Sequence, residues 1–229
     1  MKHNAIAIIP ARGGSRRLPK KNLLLLGGTP LIAHTINCAK KSLFIKENIF
    51  VSTDDAKIAK VATKLGVGVI DRPKELASDT AQTVDVLKHA ISYLDDKIEF
   101  DTVVLLQATA PFRKTATIDM GVKKLWSNWT KLQTVFSVKV SKFPPNWLLS
   151  IDKNILKFVL PNDFSKVRSQ DLKKTYEIDG VFYVFKKDFL KKVQRYPFAV
   201  GKSGYVFTDK IESVDIDDAE DLKIARALM

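Results

Sequence analysis

Cysteine is almost absent from this 229-residue chain. The single Cys38 leaves no internal disulfide framework and no cysteine-based zinc cluster. Histidine is also scarce: His3, His34 and His89 are scattered, without the HExxH spacing of a zinc hydrolase. No GxSxG elbow appears, which argues against a serine hydrolase. GxxxxGK[ST] and GxGxxG are missing too, which removes the usual ATP loop and the dinucleotide fingerprint. No apolar run approaches the roughly 20 residues of a membrane helix. The stretch Ala5–Pro10 is too brief for a signal-peptide core, and a basic segment follows it. The expectation is a cytoplasmic protein without membrane insertion. Internal repeats and low-complexity segments are lacking as well.

What the chain does have is positive charge. Lys and Arg number 38 against 25 Asp and Glu, a formal net charge of +13. With 45% hydrophobic and 28% charged residues, the composition is that of a folded chain, not a disordered one. The length suits one domain spanning 1–229 with room for an appendage. The charge points to an anionic partner: nucleic acid, a membrane surface or a small phosphorylated substrate.

Strand and helix patterns alternate from the start. The run Ala5–Ile9 reads as a buried central strand, followed by a polar Gly/Arg/Lys loop from Ala11 to Asn22. Thr29-Pro30 reads as an N-cap and first helical residue, with Leu31, Ile32, Ile36 and Ala39 on the helix's apolar side. Strands are expected at 49–52, 67–70, 102–106, 134–138 and 180–185. Helices are expected after Asp54 or Asp55, after Ser78, Asp79 or Thr80, around Ile118–Leu125, and after Asp217 or Asp218. This alternation predicts an α/β fold, a Rossmann-like and mostly parallel sheet flanked by helices. The rhythm breaks over 141–176, rich in proline and holding Phe143 and Trp147, which reads as an insertion leaving the main sheet.

In an open parallel sheet, ligands bind beyond the carboxyl ends of the strands. Arg12-Gly13-Gly14-Ser15 and Lys20-Lys21-Asn22 follow the first strand; Ser52-Thr53-Asp54 and Gln107-Ala108-Thr109 follow others. Gly13 and Gly14 would let backbone N–H groups approach an anion, with Arg12 and Lys21 supplying charge. A polyphosphate is one reading; a solvated basic loop is the other. Asp215 and Asp217, two apart, could present both carboxylates to one side and seat Mg²⁺ together with substrate phosphates. The alternative is that Asp217 or Asp218 caps the last helix.

Five blocks, in order, resemble the cytidylyltransferases that activate sialic acid and related nine-carbon 2-keto acids. They are Ile8–Asn22, Gly28–Ala33, Val51–Asp55, Arg72–Thr80 and Leu106–Arg113, and Ser213–Asp217 is similar to that family's metal motif. The resemblance covers nearly the whole chain and implies a nucleotidyltransferase-type fold. It implies transfer of CMP from CTP to a sugar's anomeric hydroxyl with release of pyrophosphate. Arg12 and Lys21 would hold the triphosphate. Ala11, Gly13, Gly14, Ser15, Asn22, Arg72, Ser78, Asp79, Thr80 and Gln82 would line the nucleotide pocket. Gln107, Thr109, Arg168 and Gln170 would face the sugar acid; Asp215 and Asp217 would bind Mg²⁺, with Asp215 catalytic. The insertion at 141–176 would be a dimerisation arm, giving a homodimer.

This chain departs from sialic-acid enzymes at Glu177 and Asn146, where cations are common. That change favours a less hydroxylated acid of the legionaminic or pseudaminic type. One rival is a cytidylyltransferase for the eight-carbon 3-deoxy-manno-octulosonate; the Arg168-x-Gln170 segment and the Asp-Ile-Asp ending argue against it. A rival of another class is a nucleic-acid-binding protein, but lysines recur on nearly every expected helix, as on a solvated surface.

Overall fold

A computed structural model describes residues 3–160, 168, 171–195 and 197–229. Strand β1 (Ala5–Pro10) is buried at every apolar position, and its side chains alternate between two cores. Ala5, Ala7 and Ile9 pack beneath α1 (Leu31–Ala39), α2 (Ala56–Lys64) and α4 (Thr115–Ser127). Ile6 and Ile8 face α3 (Thr83–Leu94) and the short α5 (Lys187–Lys192). A strand covered on both faces reads as a continuous apolar run, which is why this segment stands out in the sequence. Each such aliphatic side chain contributes on the order of 1.5–3 kcal/mol by leaving water.

Around β1 run β4 (Ile49–Thr53), β5 (Gly68–Asp71), β6 (Thr102–Leu105), β7 (Thr134–Val140), β10 (Tyr176–Lys186) and β11 (Ser203–Phe207). The seven-stranded order is β11-β7-β10-β6-β1-β4-β5. All pairings are parallel except those of β10, which is antiparallel to β6 and β7. The chain builds outward from β1 through β4 to β5, then α3 returns it to β6 on β1's other side. The winding therefore reverses at β1, and a crevice opens beyond its carboxyl end.

Local signals explain most boundaries. Asp55 caps α2, accepting from Lys57 N at 2.7 Å and Ile58 N at 3.1 Å. Gly66, at φ 71°, ends it. Asp218 caps α6 (Ala219–Ala227), and Asp221 closes the capping box from the other side.

Three boundaries differ from the sequence expectation. Gly27 and Gly28, with φ of 54° and 75°, form a two-residue hairpin turn that pairs β2 (Leu25–Leu26) with β3 (Thr29–Pro30). Thr29 and Pro30 are therefore extended, and α1 begins at Leu31 without a side-chain cap. Helix α3 begins only at Thr83, so Ser78, Asp79 and Thr80 lie in the loop before it. Strand β11 and α5 have no counterpart in the expected elements. The helix is six residues long with Leu190 as its buried residue, and β11 is a partly exposed edge, so neither carries a period.

Within 141–176, the described hairpin stands outside the main sheet, while Tyr176 already begins β10. Strands β8 (Leu149–Asp152) and β9 (Ile155–Phe158) pair only with each other and expose Leu149, Ile151, Ile155 and Leu156. Among the described residues, no helix is long and apolar enough to cross a membrane.

Candidate active site

A cavity of about 590 Å³ lies over the crevice at the carboxyl ends of β1 and β6. Arg12 and Ser15 reach it from the loop after β1, Lys21 and Asn22 from the turn that follows, and Gln107 and Thr109 from the end of β6. Arg72, Ser78 and Asp79 close another side, and Asp217 enters from the segment before α6. These ten expected site residues, spread over 200 positions, thus share one cavity. Leu76, Ala81 and Val86 add an apolar wall.

Five cations and two carboxylates line the space. Arg12 Nη1 pairs with Asp79 Oδ1 at 2.8 Å, and Arg16 Nε meets the other oxygen of the same carboxylate. Lys21 Nζ lies 2.9 Å from Asp217 Oδ1 and Arg17 Nη2 lies 2.8 Å from Oδ2. Burial pushes the Asp217 carboxyl upward, but Lys21 and Arg17 outweigh it and hold the pKa below the usual range. Burial pulls Arg72 down to about 10, with Asp54 opposing and Arg12 adding to the shift. Arg72 stays charged at neutral pH and is fixed by Ser52, through its carbonyl at 2.6 Å and its hydroxyl at 3.2 Å. Asn22 Nδ2 donates to the Arg12 carbonyl at 3.0 Å, holding the loop's base. Thr109 carries a buried hydroxyl with no hydrogen-bond partner among the described residues.

The structure sets other expected residues apart from the cavity lining. Ala11 is buried in the core beneath α1 and α2. The Gly13 N–H is already bonded to Asp54 Oδ1 at 2.9 Å, so it does not face an open anion site. A β-carbon at Gly13 would lie 2.7 Å from Asp55 Oδ2, so this glycine is needed for close packing of two loops; one at Gly14 would meet open space. Thr80 contacts Ser78, oxygen to oxygen at 3.3 Å, and Gln82 occupies the cap position of α3. Arg168 is exposed and bonds Asp171 at 3.0 Å. Gln170 lies outside the described residues. Arg16 and Arg17 are cavity cations outside the expected site residues, although they continue the basic run after β1. Pro10, Leu76, Ala81, Thr83, Val86 and Ala108 complete the lining and carry no motif.

Asp215 and Asp217 flank Ile216, which is buried with Leu18, Leu26 and Leu31; Asp217 lines the cavity, and Asp215 is not among its lining residues. Asp215 is exposed, and its carboxylate has no hydrogen-bond or ion-pair partner among the described residues. No group of three or more His, Cys, Asp or Glu side chains converges among the described residues. A Mg²⁺ ion needs only one or two carboxylates when phosphate oxygens and water complete its shell. Asp215 has the free carboxylate for this, whereas Asp217 would first have to release Lys21 and Arg17. Asp218, not Asp217, is the side-chain cap of α6.

The cytidylyltransferase family profile matches residues 6–228. The chain is 34% identical over 225 residues to the N-acylneuraminate cytidylyltransferase of Escherichia coli, covering 98% of this chain but 52% of that protein. It is 35% identical over 228 residues to the CMP-N,N'-diacetyllegionaminic acid synthase of Legionella pneumophila, covering 98% of this chain and 95% of that one. The chain thus spans about half the length of the first relative and nearly all of the second. The solved structure of a CMP:2-keto-3-deoxy-manno-octonic acid synthetase complexed with CTP superposes with a TM-score of 0.72 at 20% identity, over 99% of this chain and 98% of that one, which shows the shared fold. With its profile matched almost end to end, the chain belongs to the cytidylyltransferase family.

Proposed function

We propose that this protein transfers CMP from CTP to the anomeric hydroxyl of a nine-carbon 2-keto sugar acid. The hydroxyl oxygen attacks the α-phosphorus and gives up its proton to water. A new P–O bond forms as the bond from the α-phosphorus to the oxygen bridging to the β-phosphorus breaks, and pyrophosphate leaves with that oxygen. The observation that carries this reading is the convergence of Arg12, Arg16, Arg17, Lys21 and Arg72 on a cavity that also admits Gln107 and Thr109. Phosphoryl transfer needs positioning and charge neutralisation more than covalent help from the protein. Arg12 and Lys21 hold the triphosphate and stabilise charge on the departing pyrophosphate. To do so they exchange Asp79 and Asp217 for phosphate oxygens, so each cation is already oriented by a carboxylate before nucleotide arrives. Asn22, Arg72, Ser78 and Asp79 line the nucleotide end. Gln107 and Thr109 face the sugar acid, and the Thr109 hydroxyl gains there the partner it lacks.

Asp215 and Asp217 would hold Mg²⁺. When bound, the ion neutralises phosphate oxygens and lowers the pKa of an oxygen it binds. The insertion at 141–176 is a dimerisation arm: Phe143, Ile151, Ile155 and Leu156 are exposed apolar side chains that a second copy would cover. On this reading Arg168 and Gln170 serve the partner's site. A reaction drawing on CTP belongs in the cytoplasm. Residues 1–229 act as one cytidylyltransferase domain.

The acid is of the sialic, legionaminic or pseudaminic type. The relatives at 34–35% identity favour nine carbons over the eight-carbon 3-deoxy-manno-octulosonate, whose synthetase structure matches in fold at 20% identity. The test is pyrophosphate release from CTP and Mg²⁺ with a panel of these acids. Release with one nine-carbon acid is expected. No release with any, alongside tight salt-sensitive DNA binding, overturns the reading in favour of a nucleic-acid-binding protein.

A further inference from the structure

Arg113, in the loop after β6, is 5% exposed, yet no carboxylate pairs with it among the described residues. A buried guanidinium with no carboxylate in direct contact is costly. Burial pulls its pKa down to about 10, while Cys38, Asp215 and Asp179 act in the other direction. Each of its three nitrogens has a neutral acceptor instead. Nε donates to the Val181 carbonyl at 2.5 Å, Nη1 to Thr35 Oγ1 at 3.0 Å, and Nη2 to the Gln107 carbonyl at 2.7 Å. One planar fork thus ties together α1, the end of β6 and β10.

The grip on β10 is two-sided. The Val181 N–H donates to Asp179 Oδ1 at 3.1 Å, and that oxygen also accepts from Ser137 Oγ at 2.5 Å. Val181 is therefore clamped between a buried arginine and a buried aspartate. The clamp sits within the register shift between Ile178 and Tyr183. Beside it Gly180, at φ 77°, approaches the Gln107 side chain; a β-carbon there would stand 3.9 Å from the amide. Gln107 lines the cavity, and Arg113 does not. None of Arg113's hydrogen bonds goes to Arg12, Lys21 or Arg72.

We propose that Arg113 is a positioning residue for the keto-acid end of the site, fixing Gln107 and the Asp179–Gly180 bulge without touching substrate. The inference rests on the proposed reaction only in giving Gln107 to the sugar acid. A purely structural arginine would weaken both substrates or neither; this one acts on one end.

Arg113→Lys keeps the buried positive charge and loses the planar fork. The full chain is assayed with the best nine-carbon acid of the panel, and CTP affinity is measured separately by calorimetry. CTP affinity stays within about twofold of wild type, while KM for the acid rises by about tenfold or more. Added guanidinium restores part of the loss in Arg113→Ala. An equal loss towards both substrates, or an unchanged acid KM in a folded Arg113→Lys, overturns the proposal. If neither arginine variant folds, Thr35→Val removes one of the three acceptors. A selective rise in acid KM of about threefold is then expected, and no selective rise overturns it. Wild-type protein that binds CTP but turns over no acid refutes the proposed reaction itself, and the role of Arg113 falls with it.

Discussion

The Gly13 amide donates to Asp54 Oδ1 at 2.9 Å, joining the loop after β1 to the turn after β4. The first glycine of an apparent anion loop is thus spent on loop-to-loop packing. Its neighbour Gly14 has open space where a side chain would go. The two glycines therefore separate experimentally. Gly13→Ala drives a methyl into Asp55 and is expected to cost about 1–3 kcal/mol of stability. Gly14→Ala falls within about 0.5 kcal/mol of wild type. Urea unfolding of both variants checks this, and equal effects would contradict it.

Lys21→Ala removes the cation that Asp217 orients. A lost charge aimed at the leaving pyrophosphate lowers kcat by about 10²–10³. Steady-state kinetics with CTP reads this, and a loss confined to KM would mean that Lys21 binds substrate and transition state alike.

Asp215→Asn changes an exposed carboxylate with no direct hydrogen-bond or ion-pair partner among the described residues. The fold should persist, with thermal unfolding shifted only by the charge it presents to Arg113. Turnover should nonetheless fall by most of its value, and Mn²⁺ binding in the presence of CTP should weaken. Full activity in this variant refutes the metal assignment.

The Asp217 carboxyl is held below its ordinary value of 3.8 once Lys21 and Arg17 outweigh burial. A depressed carboxyl adds stability above its unfolded pKa, and that stability is lost as pH falls through the folded value. Wild type should therefore lose stability below about pH 4 more steeply than Asp217→Asn. Denaturant midpoints between pH 2 and 6 measure the difference, and parallel curves would count against the ion pairs.

Ile151→Glu places a charge on the exposed apolar face of the β8–β9 hairpin. If that face joins two copies, the variant runs as a monomer in sedimentation while wild type runs as a dimer. A monomeric wild type would remove the arm's proposed role.

Much of this arrangement could be read from residues in order. Strand β1, buried on both faces, declares itself as an apolar run, and the caps at Asp55 and Asp218 mark their helices. The cavity cations were legible because Arg12, Lys21 and Arg72 follow strand ends. Other features depend on contacts that no local pattern announces. Thr29-Pro30 has the chemistry of a helix start, yet the Gly27-Gly28 turn recruits it into a hairpin. The partners of Arg113 lie up to 78 residues away, so its fork is invisible until the sheet closes. Glu177, which stands where sialic-acid enzymes commonly carry a cation, pairs across the sheet with Lys139 at 3.5 Å, a partner 38 positions earlier that no local pattern reveals.

The small cluster of Leu18, Leu26, Leu31, Ile216, Leu222 and Ala225 has a consequence for assembly. It joins the loop that carries Lys21 to the segment that carries Asp217, 196 residues later. Contacts of such sequence separation form late, because the intervening chain must first give up its freedom. During synthesis, the sheet from β1 to β6 can pair while this floor is still open. The anion site is then the last part of the molecule to be completed, and a nascent chain lacking α6 would carry the sheet without a finished place for nucleotide.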